Sequence, residues 1–216
     1  MNKERLFALI GIIFSFLFLL TISTNFFGFF EFNNLEAFYW FSRLEIWIVL
    51  FTIIIYSKYI EKKNLLLWNT NNKGIIFYII SVISIVFMVG ILGIGYSLIN
   101  KYFNISLMGE MYKQQQLIFK NNISILIFTV FTAGITEELI FRGYFMTRLE
   151  IITKNKWSII IISSLLFGLI HLRYGNIMAL ILPFLIGLVF ALYYYKYRNL
   201  IVLIISHLII DFISFN

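Results

Sequence analysis

Apolar positions fall in long unbroken runs, divided by short polar segments. Seven runs stand out: Leu6–Phe30, Phe38–Tyr56, Gly74–Ile99, Ile123–Leu149, Trp157–Leu172, Asn176–Tyr195 and Leu200–Phe215. Each is near the ~20 residues that an α-helix needs to cross a bilayer core, allowing for tilt and short ends. The ~10-residue alternation of an outer-membrane barrel is missing. The first run is too long for a typical signal-peptide core and no Ala-x-Ala site follows it, so it reads as an uncleaved helix. Lys101–Asn122 is mixed, with Gln114-Gln115-Gln116 at its centre, and too polar to span. The pattern predicts an all-α polytopic bundle of about seven spans. Residues 1–122 form N-terminal helices and a polar loop, and 123–216 the chemistry-bearing core.

Composition agrees. Of 216 residues, 61% are hydrophobic and 12% charged, against ~45–50% apolar and ~25% charged in soluble domains. A soluble domain of this size could not bury so much apolar surface. With no cysteine, disulfides, thiolate metal sites and a cysteine nucleophile are excluded. The net charge of +7 would suggest nucleic acid in a soluble protein. Here Lys and Arg orient helices and meet anionic lipid, so the bilayer, not nucleic acid, is the expected partner. An inside N-terminus places Lys3, Arg5, Lys58, Lys62, Lys63, Lys73, Arg148, Lys154, Lys156, Lys196 and Arg198 inside. The smaller outside set is Arg43, Lys101, Lys113, Lys120 and Arg173. That asymmetry favours a C-terminus outside. Arg43 and Glu45 are expected at the interface, and Trp40, Trp47, Trp68, Trp157 and Tyr193-Tyr194-Tyr195 in an aromatic belt. The heavy use of Ile, Phe, Asn and Lys points to a low-GC bacterial source, hence to the plasma membrane.

Charges inside spans are costly, at least ~2–3 kcal/mol each, and the fourth span carries Glu137, Glu138 and Arg142. Glu138 and Arg142 are four apart and can pair. Glu137 is ~100° around the helix from Glu138 and points elsewhere. His171 closes the fifth span, and His207 and Asp211 share a face of the seventh. Counted from the inside loop, Glu137 and His171 stand at nearly one depth. His207, eight residues beyond Asn199, is shallower by the same count. A carboxylate beside an imidazole in an apolar bundle suits water activation. A second histidine steadied by a carboxylate suits an oxyanion. The competing reading is a polar network that merely joins helices.

The motifs Glu137-Glu138-x-x-x-Arg142, Phe167-x-x-x-His171 and His207-x-x-x-Asp211, with Asn199-Leu200 eight residues before His207, resemble the CPBP family of intramembrane endopeptidases. That family holds the type II CAAX prenyl proteases and the bacterial bacteriocin-processing and self-immunity (Abi) proteins. The resemblance covers about Ile123–Phe215. It implies that Glu137 activates water with His171, that Glu138 and Arg142 are a structural pair, and that His207 with Asp211 serves the oxyanion. Many relatives carry Asn at the position of Asp211. An ionised Asp only accepts hydrogen bonds, so its implied part is to orient His207. Phe184 and Gly187 fit the family's Phe-x-x-Gly, with Gly187 and Ala191 as a close-packing face. His171, His207 and a carboxylate are ligands that zinc accepts, but there is no His-Glu-x-x-His, and a metal-free, cofactor-free reaction is expected. The function implied is hydrolysis of a small peptide or a membrane-anchored protein tail. The alternative is a non-proteolytic immunity or regulatory protein that binds a membrane partner. Substrate identity and oligomeric state are not legible.

Overall fold

The computed structural model describes residues 2–25, 35–68, 73–103, 110–174 and 178–215. Residues 26–30 of the first expected span and 176–177 of the sixth lie outside these. In lipid, backbone groups must be satisfied within the segment, and each expected span is helical. The elements are α1 (Lys3–Asn25), α2 (Leu35–Tyr59), α3 (Ile75–Phe103), α4 (Glu110–Asn121), α5 (Ile123–Glu137), a π-helical segment (Glu138–Met146), α6 (Thr147–Ile152), α7 (Lys156–Leu169), a 3₁₀ turn (Ile170–Tyr174), α8 (Met178–Tyr197) and α9 (Leu200–Phe215). There is no strand among the described residues. Among the described residues, five helices are long and apolar enough to cross a membrane: α1, α2, α3, α8 and the continuous helix Ile123–Ile152. At 14 and 16 residues, α7 and α9 measure ~21 and ~24 Å, less than a ~30 Å bilayer core.

Four asparagines set helix starts among the described residues: Asn2 accepts from Arg5 N at 2.9 Å at the start of α1, and three more begin α5, α7 and α9. Asn122 accepts from Ile125 N at 3.3 Å, Asn155 from Ser158 N at 3.1 Å, and Asn199 from Val202 N at 3.2 Å. Such caps contribute ~1 kcal/mol each. Asn199 is fully buried and also donates to Tyr78 Oη at 3.2 Å. It ties the α8–α9 turn to α3.

α5 lies between α2 and α9, α7 packs along α8, and α3 covers α8 and α9. One core joins both halves of the chain, with Ile12, Val49, Ile53, Ile85 and Val89 packed with Ile140, Phe141, Phe145 and Leu203. α3 leaves Ile79, Ile83, Phe87, Ile91, Ile94 and Leu98 exposed. That spacing of four and three is one apolar stripe, the surface that lipid tails meet.

Three expectations drawn from the loops are corrected. Arg148 is not a loop cation: it is fully buried and pairs with Glu61 at 2.7 Å. It also reaches Ser57 Oγ at 2.5 Å, Leu65 O at 2.6 Å and Asn64 O at 2.9 Å. The 60–68 connection folds back over the helix end and supplies those acceptors. Trp47 does not sit in an aromatic belt. It lies mid-way along α2 and donates to Thr132 Oγ1 at 3.1 Å, because α2 turns that face to α5. Arg43 and Glu45, expected at the interface, are both buried: Arg43, four residues before Trp47, shares its face, and Glu45 is buried on the opposite side of α2.

Candidate active site

The site begins where α5 ends. Glu137 is the last α-helical residue and Glu138 the first of the π-helical segment, whose wider turn continues past Arg142. Such segments recur at functional sites, and no proline or glycine run in the sequence announces this one. Glu138 Oε1 accepts from Arg142 at 3.0 Å, as the spacing of four predicts. It also lies 2.8 Å from His207 Nδ1. Arg142 is wholly buried. Its guanidinium lies over Phe167 (4.5 Å) and Phe190 (5.2 Å) and donates to Gly187 O at 3.3 Å. Gly187 lets α8 pack closely on α7, because a Cβ there would stand 3.2 Å from Ser164 Cα. The close-packing reading of Gly187 thus has a geometric basis, and the carbonyl it brings near serves Arg142.

His207 lies among three carboxylates. Nδ1 faces Glu138, and Nε2 lies 3.8 Å from Glu137 Oε2 and 3.5 Å from Asp211 Oδ2. The shallower depth expected for His207 is therefore corrected. A Cβ on Gly143 would stand 3.6 Å from Leu200 Cδ1, and one on Gly134 would stand 2.8 Å from Leu208 Cδ2. The start of α9 is thus sunk to the level of Gly143, well below the loop at Thr153. Seven residues on from Leu200 and six back from Gly143, His207 and Glu137 meet.

His171 sits in the 3₁₀ turn after α7. Its Nδ1 is 2.8 Å from Phe167 O. A carbonyl only accepts, so Nδ1 carries the proton, and Nε2 of the neutral ring is the acceptor. The Phe167 ring packs against His171 at 5.0 Å and His207 at 6.3 Å between centroids.

Glu137, His171, His207 and Asp211 all line one cavity of about 480 Å³. Its remaining wall is mostly apolar, with Val89, Gly90 and Gly93 from α3 and Leu182, Pro183 and Ile186 from α8. Sequence reasoning missed several polar residues here, Tyr96 and Ser214 among them. Arg43 of α2, Gln115 of α4 and Thr129 of α5 also line the cavity. Arg43 lies near enough to Asp211 to act on its charge. The one legible signal was at Gln115, which shares a helix face with Phe119, four residues on; both are buried. Among the described residues, no three His, Asp or Glu side chains are disposed to hold a metal ion.

The family described as type II CAAX prenyl endopeptidase, Rce1-like, matches residues 119–213. No curated protein matches the chain, and no solved structure does.

Proposed function

We propose, from the match of residues 119–213 to the Rce1-like family, that the protein is an integral-membrane endopeptidase whose own side chains activate water. The observation that carries this reading is the meeting of Glu137, His171, His207 and Asp211, from three separate helices, at one otherwise apolar cavity. A network that only joins helices would not line a cavity of ligand size.

The roles follow from the donors and acceptors. Glu137 takes a proton from water as the water oxygen attacks the scissile carbonyl carbon, and later returns it to the leaving amine. Nε2 of His171, unprotonated because Nδ1 serves Phe167 O, accepts the water's second hydrogen and aims its lone pair. His207 as an imidazolium donates from Nδ1 to Glu138 and from Nε2 toward the oxygen on which charge develops. Asp211 orients that ring. Glu138 and Arg142 are positioning residues. No step requires a cofactor. Zinc is the alternative, since an Nδ1 bonded to a carbonyl or a carboxylate leaves Nε2 of each histidine able to ligate; the reading against it is that no three His, Asp or Glu side chains among the described residues are disposed to hold a metal ion.

The apolar wall suits an apolar peptide or the membrane-anchored tail of a protein, reached from the plasma membrane of a bacterium. Comparative peptidomics of cells carrying the wild type or Glu137→Ala tests this reading. Fragments that appear only with the wild type are expected, and their number should be unaffected by a chelator. Identical peptidomes, with biological function intact in the variant, would instead make the protein a binding partner. Loss of cleavage on chelation, restored by zinc, would establish the metal-dependent reaction.

A further inference from the structure

Beyond Glu137, His171, His207 and Asp211, the cavity carries further polar side chains. Gln115 and Thr129 both line it, and each is only 2% exposed. Neither Gln115 Oε1 nor Thr129 Oγ1 has a hydrogen-bond partner among the described residues. Buried polar atoms are nearly always paired in native proteins, and an unmet one is costly. Two on one cavity wall, from different helices, mark a place where a ligand supplies the partners.

Their position gives the ligand's length. Thr129, Ala133 and Glu137 are four apart in turn along α5, and all three line the cavity. They form a track from the carboxylate to the hydroxyl. Eight residues of α-helix rise ~12 Å. Extended chain advances ~3.3–3.6 Å per residue, so the track matches three to four residues of extended peptide. Gln115 and Thr129 lie equally far before and after Asn122, where α4 turns into α5, and both side chains line the cavity. Ala133 leaves the middle of the track free of bulk.

Their chemistry gives the ligand's class. A glutamine amide accepts at oxygen and donates at nitrogen, and a threonine hydroxyl does both. Neither is charged. The pair complements the alternating N–H and C=O of a peptide main chain, and the apolar walls beside it suit side chains, while the one guanidinium on the cavity wall among the described residues, Arg43, acts on the charge of Asp211.

Resting on the peptidase reading, we propose that Gln115 and Thr129 form a main-chain-binding subsite that grips the substrate peptide three to four residues from the bond facing Glu137. Gln115 lies outside the family-matched segment and Thr129 within it, so the grip joins α4 to the matched region.

The test uses the full chain in detergent with a library of internally quenched apolar decapeptides. Cleavage is followed for the wild type, Gln115→Leu and Thr129→Val, and binding is followed in the Glu137→Gln background. One lost hydrogen bond weakens binding about 3- to 10-fold. Each variant should therefore raise KM, and the Kd in the inactive background, by that factor, with a smaller change in kcat. N-methylation of the peptide amide three or four residues from the cleaved bond should weaken binding to the wild type and add nothing to the Gln115→Leu defect. Melting temperature should hold or rise in both variants, since each loses an unmet buried atom. Cleavage with unchanged KM and Kd would overturn the subsite and leave the peptidase reading standing. A lower melting temperature with unchanged Kd would assign both residues to packing. A library neither bound nor cut would overturn the peptidase reading and the subsite with it.

Discussion

At Glu138 a single carboxylate oxygen, Oε1, serves both Arg142 and His207, whereas Glu137 faces the cavity and reaches the other ring nitrogen of His207. The adjacent glutamates therefore have opposite mutational signatures. Glu138→Ala leaves a fully buried guanidinium without its carboxylate. Breaking a buried pair from one side costs ~3–5 kcal/mol, so membrane abundance and melting temperature should fall together with activity. Glu137→Gln keeps the shape and removes a buried charge. Its melting temperature should hold or rise, while peptide cleavage vanishes because an amide does not take up water's proton. Melting temperature and cleavage of one peptide, measured on both variants side by side, decide it. A stable, inactive Glu138→Ala beside an active Glu137→Gln would reverse the two roles. The sequence separated these glutamates correctly with respect to Arg142, because spacing on one helix is local information. It did not show that both converge on His207. That depends on how far α9 is sunk against the π-helical segment, which Leu200 and Gly143 set across 57 positions of chain.

The helix ends carry a second buried ionic cluster that the sequence concealed. Arg148, Glu61 and Tyr144 join three elements: Glu61 accepts from Arg148 Nε at 2.9 Å and from Tyr144 Oη at 3.0 Å. The Arg148 guanidinium also lies 4.3 Å from the Tyr144 ring centre. α1 crosses this point at Gly11, where a Cβ would fall 2.0 Å from Tyr144 Oη and 2.7 Å from Tyr56 Cε1. Lys and Arg near the ends of apolar runs read as loop charges, and they usually are. Arg148 departs from that rule because the 60–68 connection brings Glu61, Asn64 and Leu65 to it, and a helical-period reading says nothing of where a loop returns. Arg148→Met should cost ~3–5 kcal/mol, the penalty of stranding Glu61 in a low dielectric. The double variant Arg148→Met/Glu61→Met should recover much of that loss, because an apolar pair of similar bulk is often as stable as the ion pair it replaces. Thermal melts of the wild type, both single variants and the double variant close the cycle. Additive losses would mean the two residues act independently.

At the scale of the molecule, the family-matched segment begins at residue 119, but the cavity it serves is walled by residues that precede it. Arg43, Val86, Val89, Gly90, Gly93, Tyr96 and Gln115 all line that cavity. α2 is fastened to α5 by the Trp47–Thr132 hydrogen bond and by the Trp40–Phe128 ring contact at 4.9 Å. The motifs alone supplied the candidates Glu137, His171, His207 and Asp211, since each motif is short and local. They did not locate the chamber, since the wall residues on α2, α3 and α4 carry no pattern that separates a cavity-facing valine or glycine from a lipid-facing one. A fragment spanning 119–216 therefore retains every motif yet lacks most of its setting. Arg148 would keep Thr147 Oγ1 and lose Glu61, Ser57, Asn64 and Leu65. The faces of α8 and α9 covered by α3 would open, and α5 would lose α2. The expected outcome is a fragment that inserts poorly, is degraded or elutes as an aggregate, and cleaves no peptide. Fluorescence-detected size exclusion of the tagged fragment beside the full chain, with peptide cleavage measured on both, checks this. A monodisperse, active fragment would show instead that α1–α4 form a separable accessory, and that the Arg148 cluster contributes far less than a buried ion pair should.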